Sequence, residues 1–331
     1  METNKLVLFT NERQTKTKNY LTNFFPKVLT NLIIDYDYYF EGNMHTPFKN
    51  KNLGMIGDIS ILPDFRLIVT EYLSSNIKIL NLLTGRIQSI LTNHSSRIIS
   101  FMVTSTKRIV TCSADTTIKI MNLETYSVEN KCELTLSNNT CSAFCINILQ
   151  DGRLVSGMRD GEIKIWSTKG LCEFSWRGHN DPIFSIAILP DGRIVSASVD
   201  IKIWNAETKN CDLILIGHSK EINCVVVLSD NKIVSASRDN TLKIWSINSD
   251  NSYTCDFTLT GHTSWANCIA ILPDGKIVSG SSDYTLKIWN PMNGICELTL
   301  FGHSNSILAV EVLSDGKIVS AGLDRKIIIW N

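Results

Sequence analysis

Histidine, serine and aspartate side chains recur together in this 331-residue sequence, in the combination that hydrolases use to activate a nucleophile. In each set the Ser lies four residues before the Asp, and a Trp follows. Four sets are complete: His179, Ser196, Asp200 and Trp204; His218, Ser235, Asp239 and Trp245; His262, Ser279, Asp283 and Trp289; and His303, Ser320, Asp324 and Trp330. A catalytic nucleophile would occur once, whereas this combination is repeated. We therefore expect no catalytic residue among them.

Motifs of other common enzymes are missing from the sequence, which has no GxSxG, GxxxxGK[ST], GxGxxG or HExxH pattern. Five of the six histidines occupy the repeated position, and only His45 lies elsewhere. A metal site would therefore have to be assembled from few remaining ligands. We expect no metal and no cofactor, and we predict that the chain is not an enzyme.

A short apolar-Lys-apolar-Trp motif recurs with a period near 40 residues. It reads IKIW ending at Trp166 and Trp204, LKIW ending at Trp245 and Trp289, and IIIW ending at Trp330. Two degenerate copies, IKIL and IKIM, end at positions 80 and 121. Successive end points are 41, 45, 38, 41, 44 and 41 residues apart. A period of this length indicates an array of repeated supersecondary units.

Each repeat contains the residue types of four β-strands. An Asp-Gly pair between two apolar runs, as at 191–192, is a strong signal for a β-hairpin. The Trp-bearing run supplies a third strand, and segments such as CDLIL at 211–215 supply a fourth. One such unit cannot bury both of its faces alone, so the units must stack around an axis until the ring closes.

The motif and its period resemble the WD-repeat family over about residues 45–331. The resemblance implies an all-β fold, a seven-bladed β-propeller of four-stranded antiparallel blades that is closed by an N-terminal strand. The repeat register puts this strand at about 45–49, and 6–10 is a competing candidate. We expect an N-terminal segment with a short helix over 1–42 and the propeller over 43–331.

In the WD-repeat family the recurring His, Ser or Thr, Asp and Trp form a hydrogen-bonded tetrad within a blade. The resemblance therefore gives the four complete sets a structural role, in which buried polar groups satisfy one another. Blade 2 has Met121 in place of Trp, blade 3 has Asn139 in place of His, and the hairpin before Trp204 is two residues shorter than its counterparts. Blade 1 departs most and is expected to be the weakest, with its four positions assigned to Asn52, Thr70, Ser74 and Leu80.

The family resemblance places partner binding on the narrower top face of the ring, where the loops between blades open. Two residues of each blade are expected on the top face: the residue just before the tetrad Asp and the residue at the start of the first strand. Trp265 is the leading candidate because Trp and Arg dominate binding hot spots. With it we predict a mixed aromatic and basic surface made of Arg238, Arg159, Phe184, Arg97 and Phe144. Such a surface suits acidic or phosphorylated peptides, unless the two phenylalanines pack into the blade interfaces instead.

The composition narrows the classes of partner. Lys plus Arg and Asp plus Glu both number 32, so no net field attracts nucleic acid or an anionic membrane. No apolar run approaches the roughly 20 residues of a membrane-spanning helix, and the first residues lack the apolar core of a signal peptide. We expect an intracellular protein of the cytoplasm or nucleus, monomeric within a larger complex. Its ten cysteines are expected to be reduced and buried.

These features favour a scaffold that docks other proteins on the top face. One alternative is a substrate receptor of a ubiquitin ligase complex, because residues 20–40 resemble the core of an F-box. Another is a propeller enzyme with a polar site in the central channel. That alternative would need a carboxylate or His with a shifted pKa facing the channel.

Overall fold

The computed structural model describes residues 53–82, 84–123, 132–137, 139–248, 250 and 252–331, together with the backbone of 46–47. The predicted N-terminal segment over 1–42, which includes the F-box-like stretch and the competing strand at 6–10, lies outside these residues. In the described part, 28 strands form seven four-stranded antiparallel sheets, the blades of a propeller. The predicted fold class is thereby confirmed.

The chain runs through each blade from the innermost to the outermost strand, so the first strand of every blade faces the axis. Blade 1 contains β2 (Ile56–Ile61), β3 (Arg66–Glu71), β4 (Asn76–Asn81) and β5 (Ile87–Thr92). Blade 2 contains β6 (Ile98–Val103), β7 (Arg108–Ser113), β8 (Ile118–Asn122) and β9 (Leu134–Leu136). Blade 3 contains β10 (Ala143–Ile148), β11 (Leu154–Met158), β12 (Glu162–Trp166) and β13 (Cys172–Arg177). Blades 4 and 5 contain β14 (Ser185–Ile188), β15 (Ile194–Ala197), β16 (Ile201–Trp204) and β17 (Cys211–Leu215); and β18 (Ile222–Val227), β19 (Ile233–Ser237), β20 (Leu242–Ile247) and β21 (Tyr253–Leu259). Blades 6 and 7 contain β22 (Ala266–Ile271), β23 (Ile277–Ser281), β24 (Thr285–Trp289) and β25 (Cys296–Phe301); and β26 (Ile307–Val312), β27 (Ile318–Gly322) and β28 (Ile327–Trp330), completed by β1 (Thr46–Pro47).

The strand β1 closes the ring. Thr46 pairs with Ile329 and Pro47 with Ile328, so an N-terminal strand becomes the outermost strand of blade 7. Proline lacks a backbone N–H and is tolerated at such an edge. The strand predicted at 45–49 is therefore confirmed over Thr46–Pro47.

The hydrophobic core is divided among the interfaces between blades. Between blades 4 and 5, for example, Ile201 and Ile203 pack in one cluster with Ile233 and Trp245. The second strands of blades 3 to 7, such as β19, are buried along their whole length because neighbouring blades cover both of their faces. This arrangement places the side chains of the first strands around the axis and leaves the hairpin turns at the two ends of the ring.

The cysteines that open the outermost strands are less buried than the sequence predicted. Cys211 and Cys255 are exposed, and Cys172 and Cys296 are partly buried. The outermost strand has solvent on one side, so its first residue cannot be covered on all sides. Cys211 Sγ instead donates to the carbonyl of Leu213 at 3.4 Å. The prediction of burial is wrong for Cys211 and Cys255.

Candidate functional site

The recurring His, Ser, Asp and Trp side chains form hydrogen-bonded tetrads in blades 5, 6 and 7. In blade 5, Trp245 Nε1 donates to Ser235 Oγ at 2.8 Å, and Ser235 Oγ lies 2.8 Å from His218 Nε2. His218 Nδ1 lies 2.7 Å from Asp239. Because the serine oxygen accepts from Trp, its hydrogen is given to Nε2, and Nδ1–H then donates to the carboxylate. The equivalent contacts in blades 6 and 7 are between 2.8 and 2.9 Å.

In this geometry the serine hydroxyl both accepts a hydrogen bond, from the Trp, and donates one, to the His. Ser235 is fully buried, as are Ser279 and Ser320 in the next two blades. Burial of Asp239 opposes ionisation, but the hydrogen bonds from His218 and Thr241 hold the pKa of its carboxyl well below the usual range. The arrangement therefore holds the four side chains in a fixed hydrogen-bond network around an ionised Asp. The serine hydroxyl is not free to attack a substrate.

Blade 4 also forms a tetrad, despite its shorter hairpin. His179 Nε2 lies 2.6 Å from Ser196 Oγ, Trp204 Nε1 donates to the same oxygen at 2.8 Å, and His179 Nδ1 lies 3.0 Å from Asp200. The side chain of Asp200 is 31% exposed, compared with 9% for Asp239. The two missing residues thus leave the His–Ser–Trp contacts in place and uncover the Asp.

Blades 2 and 3 each retain part of the network. His94 binds Thr111 and Asp115 at 2.8 Å each, although Met121 has replaced the Trp. In blade 3, Trp166 still donates to Ser156 Oγ at 2.9 Å. Asn139 does not act as a substitute for the His, because its Nδ2 donates to a backbone carbonyl of blade 2 and its Oδ1 is buried without a hydrogen-bond partner.

The tetrad positions assigned to blade 1 need correction. Val69 pairs with Ile59 as Ser235 pairs with Val225, so Val69 and not Thr70 occupies the serine position. The turn that follows begins at Glu71, which puts Leu73 and not Ser74 in the Asp position. Thr70 and Ser74 kept the expected spacing of four residues, but both are shifted by one. Leu80 does replace the Trp, and Asn52 lies outside the described residues.

A cavity of about 470 Å³ opens on the axis at the top face. Its wall includes the second residue of the first-strand segment in every blade: Gly57, Ile99, Phe144, Phe184, Asn223, Asn267 and Leu308. The residues that open the upper hairpins, Tyr72, Arg238, Ser282 and Leu323, add a second tier. A β-carbon at position 57 would lie 3.3 Å from Tyr72 Cα, so glycine there allows the close approach of this hairpin. The cavity is thus lined by residues at equivalent positions of successive repeats.

Five of the six predicted partner-binding residues lie together in this cavity. They are Trp265, Arg238, Phe184, Arg97 and Phe144. Phe144 and Phe184 line the cavity with their ring centroids 5.9 Å apart, and neither belongs to an inter-blade core cluster. The sixth residue, Arg159, is exposed and does not line the cavity.

Arg238 contacts two aromatic rings. Its guanidinium carbon lies 4.7 Å from the centroid of Phe184 and 5.0 Å from that of Trp265. Nε donates to Asn223 Oδ1 at 3.0 Å, and an Nη1 atom lies 3.5 Å from Glu221. Two cation–π contacts and these polar contacts fix this side chain as part of the wall.

Arg97 lies in the same cavity but has a different environment. Its guanidinium carbon lies 5.9 Å from the ring centroid of Tyr72, and the side chain is exposed. The sequence had pointed to Leu73 in this hairpin, but the one-residue shift in blade 1 puts Tyr72 in the cavity instead. Asn223, Asn267 and Leu308 were also missed, although the register of Phe144 and Phe184 could have identified them.

Two carboxylates with raised pKa values lie on the first strands of neighbouring blades. Burial, and then the charge of Glu311, raises the pKa of Asp58 to about 7, and burial raises that of Glu311 to about 7. Asp58 accepts backbone N–H groups from Ile59 and from Phe101 of blade 2. A shifted carboxylate is the group that the enzyme alternative requires. Neither of these lines the top-face cavity, and Asp58 has a structural use as a bridge between blades.

Two further features bear on metal and membrane binding. Among the described residues, no group of three or more His, Cys, Asp or Glu side chains could hold a metal ion. In the same part of the chain, no helix has the length and apolar character that crossing a membrane would require.

Sequence comparisons agree with this architecture. The profile of the family described as "WD domain, G-beta repeat" matches residues 130–167, 170–205, 209–246, 253–290 and 294–331, which together make up more than half of the chain. A 118-residue segment is 29% identical to autophagy-related protein 16 of Arabidopsis thaliana and covers 35% of this chain and 22% of that protein. A 114-residue segment is 32% identical to apoptotic protease-activating factor 1 of Rattus norvegicus and covers 34% of this chain and 9% of that protein.

The matched segments span less than a quarter of either relative. The matches to the family profile include the Trp-bearing third strands of blades 3 to 7, while the third strands of blades 1 and 2, in which Leu80 and Met121 replace the Trp, lie outside them. The two degenerate blades nevertheless have the same four-stranded order as the other five. With its repeated motif, its seven blades and the profile match, this chain belongs to the WD-repeat family.

Proposed function

We propose that this chain is a protein-interaction scaffold that docks segments of partner proteins in the cavity of its top face. Propellers of the WD-repeat family generally serve as interaction scaffolds, and one of the two relatives is named for its action on another protein, a protease. The observation that carries the proposal is the stack of Phe184, Arg238 and Trp265 in the cavity wall. Trp265 is 46% exposed although it belongs to a fixed stack, which is typical of a binding hot spot.

The chemistry of the cavity supports a peptide ligand with acidic or phosphorylated residues. Its charged lining residues are Arg97 and Arg238, and its apolar lining residues surround them. Guanidinium groups pair with carboxylate or phosphate oxygens through parallel hydrogen bonds. The rigid blades hold the wall in place before the ligand arrives, which reduces the entropy lost on binding.

Capture of partners by a tagged full-length protein in its native cell tests this proposal. Trp265→Ala should lose specific partners, because it removes a large contact surface and one of the two rings that contact Arg238. Met292→Ala is the matched control, since Met292 is 78% exposed in the turn between β24 and β25 at the opposite end of the ring. Both variants should keep the melting temperature of the wild type within a few degrees. Equal recovery of every partner by the two variants would overturn the proposed docking face.

A further inference from the structure

The top-face cavity has a strongly unequal distribution of charge around its wall. The arc from blade 3 to blade 6 carries the rings of Phe144, Phe184 and Trp265. It also carries Arg238, whose guanidinium is already engaged. The arc from blade 7 to blade 2 carries Leu308, Leu323, Tyr72 and Arg97. Among the described residues that line the cavity, none is Asp or Glu. The two arginines therefore determine which anion the cavity can accept.

Arg238 contributes little uncompensated charge. Glu221 lies 3.5 Å from one of its terminal nitrogens, and the guanidinium also lies over the rings of Phe184 and Trp265. Asn223 accepts from Nε at 3.0 Å, so two of the three guanidinium nitrogens already have a polar contact. A second negative charge placed here would also be repelled by Glu221.

Arg97 supplies the free positive charge. Across the described residues its guanidinium has no acidic partner, and it contacts only the ring of Tyr72 among charged and aromatic groups. Its N–H groups are available to form the paired hydrogen bonds that a carboxylate accepts. The cavity therefore offers one unpaired positive charge beside apolar surface.

The single unpaired positive charge favours a carboxylate over a phosphate as the acidic group of the ligand. An Asp or Glu side chain carries one negative charge, whereas a phosphorylated residue carries nearly two near neutral pH. One uncompensated guanidinium can neutralise the carboxylate, but a phosphate paired with Arg97 would keep close to one excess negative charge. Sites built for phosphorylated residues generally use a cluster of arginines. Here the remaining lining polar groups, such as Asn267 and Ser282, are neutral.

Resting on the proposed docking function, we infer that the cavity recognises an unphosphorylated peptide segment. In this segment an Asp or Glu carboxylate pairs with Arg97, and a nearby apolar side chain packs on Trp265. The apolar surface of Leu308 and Leu323 completes the enclosure of that side chain. The structure thus assigns Arg97 as the residue that determines ligand charge and Trp265 as the residue that supplies contact area.

Binding of peptide pools to the full-length protein tests this inference. Each pool has one fixed central residue, Asp, Ser or phosphoserine, and randomised flanking positions that contain no other acidic residue. The Asp pool should be retained several-fold more than the phosphoserine and Ser pools, with apolar residues enriched close to the Asp. Arg97→Ala should reduce retention of the Asp pool about tenfold, as expected for the loss of hydrogen bonds to a charged group.

Arg177→Ala is the matched control, because Arg177 is also an exposed arginine but does not line the cavity. It should leave retention of the Asp pool unchanged. Stronger retention of the phosphoserine pool, equal retention of all three pools, or an equal loss with Arg177→Ala would overturn the inference. None of these outcomes decides the docking function itself, which depends on the partners lost by Trp265→Ala.

Discussion

At the scale of the residue, a tetrad serine is the meeting point of two buried polar side chains. Ser279 in blade 6 accepts from Trp289 Nε1 and contacts His262 Nε2, each at 2.8 Å. Ser279→Ala leaves both groups buried without a partner, and each such loss costs about 1–3 kcal/mol. We expect the free energy of unfolding in urea to fall by roughly 3 kcal/mol.

Thr70→Val in blade 1 is the corresponding control for the corrected register. Thr70 is 3% exposed, but its hydroxyl makes only a 3.4 Å contact with the carbonyl of Asp58 and belongs to no tetrad. Valine preserves its shape, so the loss should stay below about 1 kcal/mol. Comparable losses for Ser279→Ala and Thr70→Val would contradict the tetrad geometry described for blades 1 and 6.

Asp58 gives the fold a pH dependence of known sign. Its pKa is about 7 in the folded protein and 3.8 as the ordinary value, so between these values the folded state holds a proton that the unfolded state has lost. Stability from this group therefore falls as pH rises from about 4 to 7 and is lowest above that range. Glu311 acts in the same direction. Asp58→Asn should stabilise the protein at pH 8, by an amount on the order of 2 kcal/mol.

The melting temperatures of wild type and Asp58→Asn, measured from pH 5 to pH 8, test this sign. The difference between the two proteins is the informative quantity, because burial lowers the pKa of His94 and makes the wild type less stable as pH falls below the ordinary histidine value. The advantage of the variant should grow toward pH 8. A constant difference across the range would show that Asp58 titrates normally.

Single positions also illustrate what the sequence could and could not predict. Trp265, Arg238 and Phe184 were found because their repeat positions point to the top face. Tyr72 was missed because blade 1 lacks the His–Ser–Asp–Trp pattern that aligns the other blades, and a one-residue error then moves the assignment to Leu73. The sequence also could not predict the partners of Arg238, because its contact with Glu221 depends on how two turns of blade 5 meet.

At the scale of the element, the hairpin between the second and third strands determines how well the tetrad Asp is held. In blade 5 Thr241 of this hairpin supplies two further donors to Asp239, N at 3.0 Å and Oγ1 at 2.7 Å. Ser219 N, from the loop before β18, supplies a third at 3.1 Å. In blade 4 the residues equivalent to Asn240 and Thr241 are missing, and Ser198 Oγ is buried without a partner. The shorter hairpin therefore keeps the tetrad but loses its supporting bonds.

We expect Asp239→Ala to destabilise the protein more than Asp200→Ala. Asp239 accepts several charge-assisted hydrogen bonds while nearly buried, so its removal should cost roughly 3 kcal/mol, whereas the more exposed Asp200 should cost roughly 1 kcal/mol. Urea denaturation of the two variants gives this comparison directly. A larger loss for Asp200→Ala would mean that the shorter hairpin depends on its Asp more than its contacts indicate.

Strand patterns were predicted well at this scale because alternating apolar residues and Asp-Gly turns are local signals. Gly192, for example, has a positive φ of 88° in the turn that the Asp-Gly pair predicted. The exposure of Cys211 could not be predicted in the same way. It depends on the absence of a neighbouring strand beyond the outermost one, which is a property of the whole blade.

At the scale of the whole molecule, the ring brings the same first-strand position of all seven blades to one axis. The residue types at these positions differ, and they determine the chemistry of the cavity. In three of the seven blades, side-chain amides on the first strands tie each blade to the next, as where Asn267 donates to Ile307 O at 2.8 Å and Asn223 to Ala266 O at 3.1 Å. The strand β1 completes the last blade, and residues of the last and first blades pack in one core cluster. The period of the sequence predicted the ring, but the contents of the cavity follow from which residue each blade happens to carry at one register position.

Site-specific photo-crosslinking in the native cell is the most direct test of the central claim that partners dock in this cavity. A photoreactive phenylalanine analogue would replace Trp265 in one protein and Met292 in another. Phe184 provides a second cavity position in case replacement of Trp265 itself weakens binding. Crosslinks to the same partners from positions 265 or 184, and none from 292, are the predicted result. Crosslinks from position 292 with none from either cavity position would contradict docking at the top face.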